Sequence, residues 1–271
     1  MKGPAAAKAA AFFDLDRTLI DVDAGFLFGH HLLELARIER DQAVGRRRAE
    51  LARQYRAFVA EVYGKAVLFV PLYKLRILPR SRLVRESYVF FRGQREAQLI
   101  AALDAFFDNE LKERVYPAVR RLLAWHQAQG HATVLVTTGL QWIADRYASI
   151  LGVDLAHGVT LVQKDGVFTG QALGPMWGRD KAQLAGALAE AYDWDLGQSY
   201  AYTDHDSDRH LLELVGHPRP VHPNRRLARL ARKRGWPILD FAAPGAVPGE
   251  VEPGLEDRKA AGDLAAKLLG R

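Results

Sequence analysis

The sequence predicts an α/β protein with a doubly wound parallel sheet and a helical cap domain inserted after the first strand. From residue 130 onward, short apolar segments alternate with helical patterns, which indicates parallel strands joined by helices and covered on both faces. Before that point, a single apolar strand is followed by a long stretch with no convincing strand pattern. The sheet is therefore expected to be interrupted early by a large insertion.

The first strand is predicted at residues 11–15, a short apolar run that carries Asp14 toward its carboxyl end. Residues 24–129 read as almost wholly helical, and prolines and glycines divide this stretch into several helices. Because segments that follow a strand of such a sheet overhang the ligand crevice, we expect this insertion to act as a cap.

The remaining core elements follow in alternation. Strands are expected at 131–137, 199–203, 219–222 and 236–241, helices at 140–151, 181–192, 207–215 and 224–234, and a hairpin at 161–169 around Asp165-Gly166.

Three Pro-Gly pairs after Phe241 predict a flexible tail, with a small amphipathic helix at 263–269. We therefore expect three parts, which are a catalytic core of 1–23 and 115–241, a helical cap of 24–114 and a tail of 242–271.

Charge is distributed unevenly along the chain. The total of 38 basic and 32 acidic residues gives +6, but residues 46–95 hold 13 of the basic and 3 of the acidic ones, so they carry +10 and the rest carries −4.

The absence of cysteine excludes disulfides, thiolate metal sites and a cysteine nucleophile. The apolar runs are too short for a signal peptide or a membrane-spanning helix, so a cytoplasmic location is expected.

Asp14 and Asp16 form the first candidate site. Two carboxylates two residues apart at the end of a buried strand can converge on one point and bind a hard cation such as Mg²⁺. One can act as nucleophile and the other as general acid and base. The alternative is an exposed turn with two solvated acids. A calcium-binding EF-hand loop is excluded, because its twelfth position would be Gly25 where that loop needs glutamate.

A second acidic cluster, Asp204, Asp206 and Asp208, follows the strand predicted at 199–203. These acids can cap the helix that begins near Ser207, since Asp and Ser are favoured at helix starts. Capping explains one or two of them, whereas three carboxylates within five residues repel one another and favour a bound cation.

Two smaller signals lie between the acidic clusters. Thr137, Thr138 and Gly139 follow a predicted strand and open a helix, so their hydroxyl and N–H groups can face an anion. Lys181 stands at the start of another helix, where a solvated surface lysine is the alternative. Because the carboxyl ends of parallel strands share one edge, these residues and both acidic clusters are predicted to meet in one crevice.

On these motifs the sequence resembles the haloacid dehalogenase superfamily, in particular the phosphoserine-phosphatase-like hydrolases (subfamily IB) with a helical cap. The resemblance covers residues 11–241. It is carried by four motifs, which are Asp14-Leu-Asp16-Arg-Thr18, Thr137, Lys181, and Asp204 with Asp208. Segments within residues 215–240, including His222-Pro-Asn224, are also typical of that subgroup.

Two positions depart from the family pattern. The fourth motif reads Thr203-Asp204-His205 where the family usually has Gly or Ser, then Asp and Ser, and Thr137 replaces the usual serine of the second motif. His205 is expected to narrow the metal pocket or to alter substrate choice. Every position that the family fills with a carboxylate or an amine is filled here, so the resemblance implies an active enzyme with a Rossmann-like core.

The resemblance also implies a role for each motif residue. Asp14 would be the nucleophile that forms an aspartyl-phosphate, Asp16 the general acid and base, and Lys181 a group that neutralises charge. Mg²⁺ would be held by Asp14, Asp16 and Asp204. The phosphoryl group would bind at Thr137, Thr138 and Gly139, with Thr18 and Asp208 in support.

The sequence indicates the class of substrate but not one particular compound. The expected partner is a small phosphorylated substrate, and the basic stretch 46–95 fits an anionic or lipid-derived leaving group or peripheral contact with a membrane. A solvated face of amphipathic helices is the alternative for these cations. No nucleic-acid-binding signature is present, although a non-catalytic basic binding module and a phosphotransferase with the same intermediate remain the alternative functions.

Overall fold

A computed structural model gives the arrangement of most of the chain. The residues it describes are 7–46, 48–50, 52, 53, 56, 60, 88–174 and 178–243. Most of the basic stretch 46–95, the greater part of the predicted tail and the helix expected at 263–269 lie outside the described residues. Within those residues, no helix combines the length and the hydropathy that crossing a membrane requires.

Six strands form one sheet in the order β4-β3-β2-β1-β5-β6. All neighbours are parallel except β3 and β4, which are antiparallel. The strands are β1 (Ala10–Phe13), β2 (Ala132–Leu140), β3 (Leu155–Lys164), β4 (Val167–Leu173), β5 (Tyr200–Thr203) and β6 (His217–Pro220). The parallel-dominated sheet predicted from the sequence is confirmed.

Seven α-helices are described, and they cover both faces of the sheet. They are α1 (Ala24–Gln42), α2 (Glu96–Phe106), α3 (Pro117–Ala128), α4 (Gln141–Leu151), α5 (Arg179–Tyr192), α6 (Arg209–Leu214) and α7 (Arg225–Arg234). Apolar residues of α1 to α4 join one buried cluster, and those of α5 to α7 join another. This division over two faces is the doubly wound arrangement.

The central strand β1 is buried from end to end, because its alternate side chains enter the two different clusters. Phe13 packs with the cluster that holds α1 to α4, whereas Phe12 packs with the cluster that holds α5 to α7. Side chains of a strand point alternately to opposite faces, so a strand covered on both faces needs an unbroken apolar run. The run Ala10–Phe13 supplies it.

The insertion leaves and rejoins the core at adjacent points. Ile20 and Val115 form an antiparallel bridge. On either side of it, the N–H of Asp21 donates to the Arg114 carbonyl at 3.1 Å and the N–H of Tyr116 donates to the Leu19 carbonyl at 3.0 Å. The division into core and cap at residues 24 and 114 stays a prediction, because one buried cluster contains side chains from both parts.

The β3–β4 hairpin is longer than predicted and turns at the expected Asp165-Gly166. Both turn residues have positive φ, 52° and 72°, which is the geometry of a two-residue hairpin turn and the reason that Asp-Gly is favoured there. The hairpin also pairs with the insertion, since the N–H of Gly93 donates to the Phe168 carbonyl at 2.9 Å.

The strand predicted at 236–241 is wrong. That segment makes only an isolated parallel bridge between Val221 and Leu239. Pro237 has no N–H with which to extend a ladder, and the segment's residues lie mostly at the surface. The sheet therefore ends at β6.

Candidate active site

The carboxyl ends of β1, β2 and β5 lie at one edge of the sheet and border a cleft of about 540 Å³. Most of the predicted site residues line it. The lining is Asp14, Asp16, Arg17, Asp21, Asp23, Tyr116, Thr138, Lys181, Asp204, His205, Ser207, Asp208, His222 and Asn224. Thr18, Thr137 and Gly139 are predicted site residues that lie outside this lining.

Lys181 joins two of the acidic motifs. Its Nζ atom donates to Asp14 Oδ1 at 2.7 Å and to Asp208 Oδ2 at 2.7 Å. Asp14 stands directly after β1, Asp208 precedes α6, and Lys181 lies in the first turn of α5. Asp14 is 7% exposed, and Lys181 and Asp208 are 2% exposed each. Buried charges need such partners, because an unpaired ion in the interior is costly.

The lysine is held in its charged form. Burial acts to lower the pKa of Lys181, but attraction to Asp14 and Asp208 outweighs burial and places the pKa above its ordinary value. Burial raises the pKa of Asp14 to about 6, with Lys181 opposing the rise and Asp208 adding to it. One cation therefore offsets only part of the negative charge that is gathered here.

Asp208 is held by three donors. Besides Lys181, the Thr203 hydroxyl donates to Oδ2 at 3.0 Å and the Ser207 hydroxyl donates to Oδ1 at 3.1 Å. Ser207 is held in turn by His205, whose Nδ1 accepts from the Ser207 N–H at 3.1 Å. His205 thus caps the short turn Asp206–Asp208 from the rim of the cleft. Asp208 has a fixed orientation that points toward the lysine.

Asp16 lies beside Asp14 and is anchored at one oxygen. The N–H of Ala24, the first residue of α1, donates to Asp16 Oδ1 at 2.7 Å. Burial raises the pKa of Asp16 to about 8, and the nearby charges of Asp23 and Asp14 add to the rise. The environment thus favours the protonated form of this carboxyl group.

Asp204 directly follows β5 and lines the cleft together with Asp14 and Asp16. Burial, Asp14 and Asp208 raise its pKa to about 7. Asn224 holds the loop, because its N–H donates to the Asp204 carbonyl at 2.8 Å and its Nδ2 donates to Asp206 Oδ1 at 2.7 Å. The Oδ1 atom of Asn224 also caps the start of α7.

The segment Thr137–Gly139 was expected to open a helix but lies within β2, where the pairing with β3 shifts register between Val136 and Leu140, and the helix α4 begins only at Gln141. Thr137 is buried, and its hydroxyl accepts a hydrogen bond from the Gly139 N–H at 2.9 Å. Thr138 lines the cleft. A Cβ atom at Gly139 would lie 3.2 Å from Thr137 Oγ1, so a larger residue would press on that hydroxyl. Thr18 is also buried, and its hydroxyl has no hydrogen-bond partner among the described residues.

Several cleft residues were not singled out from the sequence. Arg17 has a positive φ of 57°, which directs the chain around the cleft after Asp16. Tyr116 stacks on His222 with 4.7 Å between ring centroids. The run His222-Pro-Asn224 marked two of these positions as typical of the subgroup, but residue type alone does not indicate that they face Asp14.

The donor atoms of the cleft suit a hard cation. Carboxylate and carbonyl oxygens are the ligands that Mg²⁺ prefers, and Asp14, Asp16 and Asp204 offer them at one edge. Burial raises the pKa of these acids, and repulsion from neighbouring carboxylates adds to the rise, which a cation would relieve. In the part of the chain that is described, no three His, Asp or Glu side chains group tightly enough to form a metal site alone. A ligand set with a backbone carbonyl is compatible with that finding.

The comparisons with known proteins agree with this site. The haloacid dehalogenase-like hydrolase family matches residues 11–213. A phosphoserine phosphatase of Mycobacterium tuberculosis is 30% identical over 269 residues, which cover 97% of this chain and 80% of that protein. A histidinol-phosphatase of Neisseria meningitidis is 26% identical over 239 residues, which cover 86% of this chain and 99% of that protein.

Solved structures show the same fold. A Bordetella pertussis protein described as of unknown function superposes with a TM-score of 0.67 at 22% identity, covering 87% of this chain and 100% of the other. A phosphoserine phosphatase, described as a phospho-aspartyl intermediate analogue, superposes with a TM-score of 0.58 at 15% identity, covering 88% and 95%.

The chain therefore belongs to the haloacid dehalogenase-like hydrolases. Within that family it is a phosphatase of the phosphoserine-phosphatase-like group. The family, the fold class and the class of enzyme predicted from the sequence are confirmed.

Proposed function

We propose that the cleft hydrolyses a small phosphomonoester through an aspartyl-phosphate, with Mg²⁺ as cofactor. The observation that supports this most directly is the bridge of Lys181, whose Nζ lies 2.7 Å from Asp14 Oδ1 and 2.7 Å from Asp208 Oδ2. The bridge orients a buried carboxylate at the rim of the cleft and leaves its second oxygen without a lysine contact. Such a carboxylate is suited to in-line attack on phosphorus.

In the first step a carboxylate oxygen of Asp14 attacks phosphorus, and the bond from phosphorus to the leaving oxygen breaks. Asp16 donates its proton to that oxygen, so the product leaves as an alcohol. The raised pKa of Asp16, about 8, supplies this proton at neutral pH. Because the Ala24 N–H holds Oδ1, the proton is carried by Oδ2.

In the second step the ionised Asp16 removes a proton from water, whose oxygen attacks phosphorus. The bond between phosphorus and Asp14 breaks, which releases inorganic phosphate and restores the carboxylate. Asp16 is thus protonated again at the end of the cycle, because it gives one proton to the leaving oxygen and takes one from water.

Mg²⁺ would be held by the Asp14 carboxylate, the Asp16 backbone carbonyl and Asp204. When bound, the ion screens the repulsion between the nucleophile and the phosphate. Lys181 neutralises charge on Asp14 and the phosphoryl group, and Asp208 orients Lys181. Thr138 would bind phosphoryl oxygens, whereas the Gly139 N–H already donates to the buried Thr137 hydroxyl, which holds the segment in shape.

The substrate is proposed as a small phosphorylated metabolite. A cleft of about 540 Å³ is of the size that binds small molecules. The relatives are named for phosphoserine and for histidinol phosphate, which share the phosphomonoester and differ in the alcohol. A screen of phosphoserine, histidinol phosphate, phosphocholine, lysophospholipids, sugar phosphates and nucleotides would identify the alcohol. A lipid-derived substrate, membrane contact and a cytoplasmic location stay predictions.

The test is phosphate release from p-nitrophenyl phosphate with Mg²⁺ and after chelation. We expect Asp14→Asn to reduce kcat by at least about 10³-fold, since the nucleophile is lost. Asp21→Asn is the matched control, because it removes a carboxylate from the rim of the same cleft and leaves the Lys181 bridge intact. Equal rates for Asp14→Asn and wild type would contradict the proposal. Phosphate transfer to added glycerol would instead indicate a phosphotransferase.

A further inference from the structure

Tyr88 connects the insertion to the active-site loop. It begins a short 3₁₀ turn, Tyr88–Phe91, in the insertion, and it is 6% exposed. Its hydroxyl donates to the Thr138 carbonyl at 2.8 Å. Burial raises the pKa of the Tyr88 hydroxyl and the nearby Asp16 charge adds to the rise, so the group remains a donor.

The carbonyl that Tyr88 contacts belongs to a peptide unit that is also held at its other end. The Thr138 C=O and the Gly139 N–H form one planar unit. Its N–H donates to Thr137 Oγ1 at 2.9 Å, while its C=O accepts from Tyr88. A planar group with one hydrogen bond on each side cannot rotate without breaking both, so this peptide has a fixed orientation.

The orientation of this peptide affects the reacting groups. Thr138 lines the cleft together with Asp14 and Asp16. The position that a Cβ atom would take on Gly139 lies 3.9 Å from Asp16 Oδ2, the oxygen assigned to carry the proton. A rotation of the peptide would therefore displace both the loop that faces the phosphoryl group and the surroundings of the general acid.

We propose that Tyr88 is a positioning residue for the Thr137–Gly139 segment. Through its hydroxyl, the conformation of this segment depends on the contact between the insertion and the core. This inference rests on the proposed function. Without the Tyr88 hydroxyl, the peptide keeps only the hydrogen bond from its N–H to Thr137 Oγ1, so the segment loses the support that it receives from the insertion.

Tyr147 provides a matched control. Its hydroxyl donates to the Leu111 carbonyl at 2.7 Å, and the side chain is fully buried. Both tyrosines thus bond a backbone carbonyl from the interior, but Tyr147 is not among the residues that line the cleft, and its hydroxyl donates to Leu111 instead of Thr138. Tyr88→Phe and Tyr147→Phe remove the same kind of hydrogen bond, and we expect similar decreases in melting temperature.

The experiment compares wild type, Tyr88→Phe and Tyr147→Phe in two assays. For Tyr88→Phe we expect kcat on p-nitrophenyl phosphate to fall about tenfold, because misplaced donors lose transition-state stabilisation. Binding of orthovanadate, which adopts the five-coordinate geometry of the transferring phosphoryl group, should weaken by a similar factor in calorimetric titration with Mg²⁺. KM should change little, and Tyr147→Phe should stay within about twofold of wild type in both assays.

The outcomes separate the two proposals. If wild type neither releases phosphate nor binds orthovanadate, the proposed function is wrong and the role of Tyr88 with it. If wild type does both and Tyr88→Phe matches it, only the role of Tyr88 is wrong. Equal losses in both tyrosine variants would also overturn that role, since they would reflect a general effect on the fold.

Discussion

The two ends of the sheet both bury polar side chains, but they treat charge in opposite ways. At the carboxyl ends of the strands, Lys181 is ionised between Asp14 and Asp208, with 2.7 Å to each. Toward the amino ends, His126 lies between His131 and Tyr202, with 2.9 Å from its Nδ1 to His131 Nδ1 and 2.9 Å from its Nε2 to the Tyr202 hydroxyl. The buried lysine at one end is charged, whereas the buried histidine at the other is neutral.

His126 is neutral because the described groups that surround it all favour its uncharged form. Burial lowers the pKa of His126 to about 3, and His131 and Arg219 lower it further. The aromatic rings of Trp125 and Tyr200 pack against it with centroid distances of 4.8 and 4.9 Å. Hydrogen bonds to His131 and Tyr202 satisfy both ring nitrogens of His126, as buried polar groups require.

The difference between the ends shows which of the buried polar groups are available for reaction. The charged end is incompletely compensated, as the raised pKa values of Asp14, Asp16 and Asp204 indicate. That surplus of negative charge costs stability, and a bound cation would relieve it. The neutral end has no such surplus.

The largest effect should come from removing the central cation. We expect Lys181→Met to lower the free energy of unfolding by about 3–5 kcal/mol in the absence of Mg²⁺, because Asp14 and Asp208 lose their partner in the interior. Urea unfolding at pH 7.5 measures this change. Arg234→Met is the control, since it breaks an exposed pair with Glu213 at 3.0 Å and should cost at most about 1 kcal/mol. Equal losses would show that the buried ion pairs of Lys181 stabilise the fold no more than the exposed pair does.

Lowering the pH should reduce the free energy of unfolding through the buried His126. The pKa of His126 is about 3 in the folded protein and 6.5 ordinarily, so the unfolded chain takes up the proton first as pH falls. The stability contributed by neutral His126 is present above pH 6.5 and declines progressively below it down to about pH 3. Between pH 7.5 and pH 5 this group should account for about 2 kcal/mol.

The comparison with His126→Gln isolates this contribution, because the variant keeps every other titrating group. Wild type should lose about 2 kcal/mol more than the variant over the same pH range in urea unfolding. Parallel pH profiles for the two proteins would contradict the assignment of a neutral buried histidine.

The smallest effect tests a single hydrogen bond of the neutral network. Tyr202→Phe removes the hydroxyl that meets His126 Nε2 and should lower the free energy of unfolding by about 1 kcal/mol. Tyr200→Phe, two residues earlier on the same strand, should have almost no effect, because the hydroxyl of Tyr200 has no hydrogen bond among the described residues. If both variants lost the same stability, the network would contribute nothing specific.

The features that could be predicted from the sequence are local ones. An apolar run that ends in Asp14, a strand followed by three acids and an Asp-Gly turn each carry their signal within about ten residues. The topology of parallel strands then brings these separate signals to one edge. Residue type and strand order together were sufficient to predict that Asp14, Lys181, Asp204 and Asp208 would share one cleft.

Contacts between ordinary residues far apart in sequence could not be predicted. Tyr88 and Thr138 are separated by 50 positions, and a buried tyrosine does not indicate which carbonyl it contacts. His126 is 76 positions from Tyr202 and carries no motif. The strand expected at 236–241 was wrong because an apolar pattern does not show whether a neighbouring strand is available, and Pro237 limits the pairing.

Residues 19–21 and 114–116 run side by side where the insertion meets the core. The entropy of closing the chain between them grows only with the logarithm of its length, so a short insert and a long one cost the core nearly the same. Beyond the junction, β1 and β2 pair in parallel from Ala10 opposite Ala132 to Phe13 opposite Leu135. At this junction the chain can therefore accommodate insertions of different length at little cost in closure entropy, provided that contacts such as the hydrogen bond from Tyr88 to Thr138 are kept.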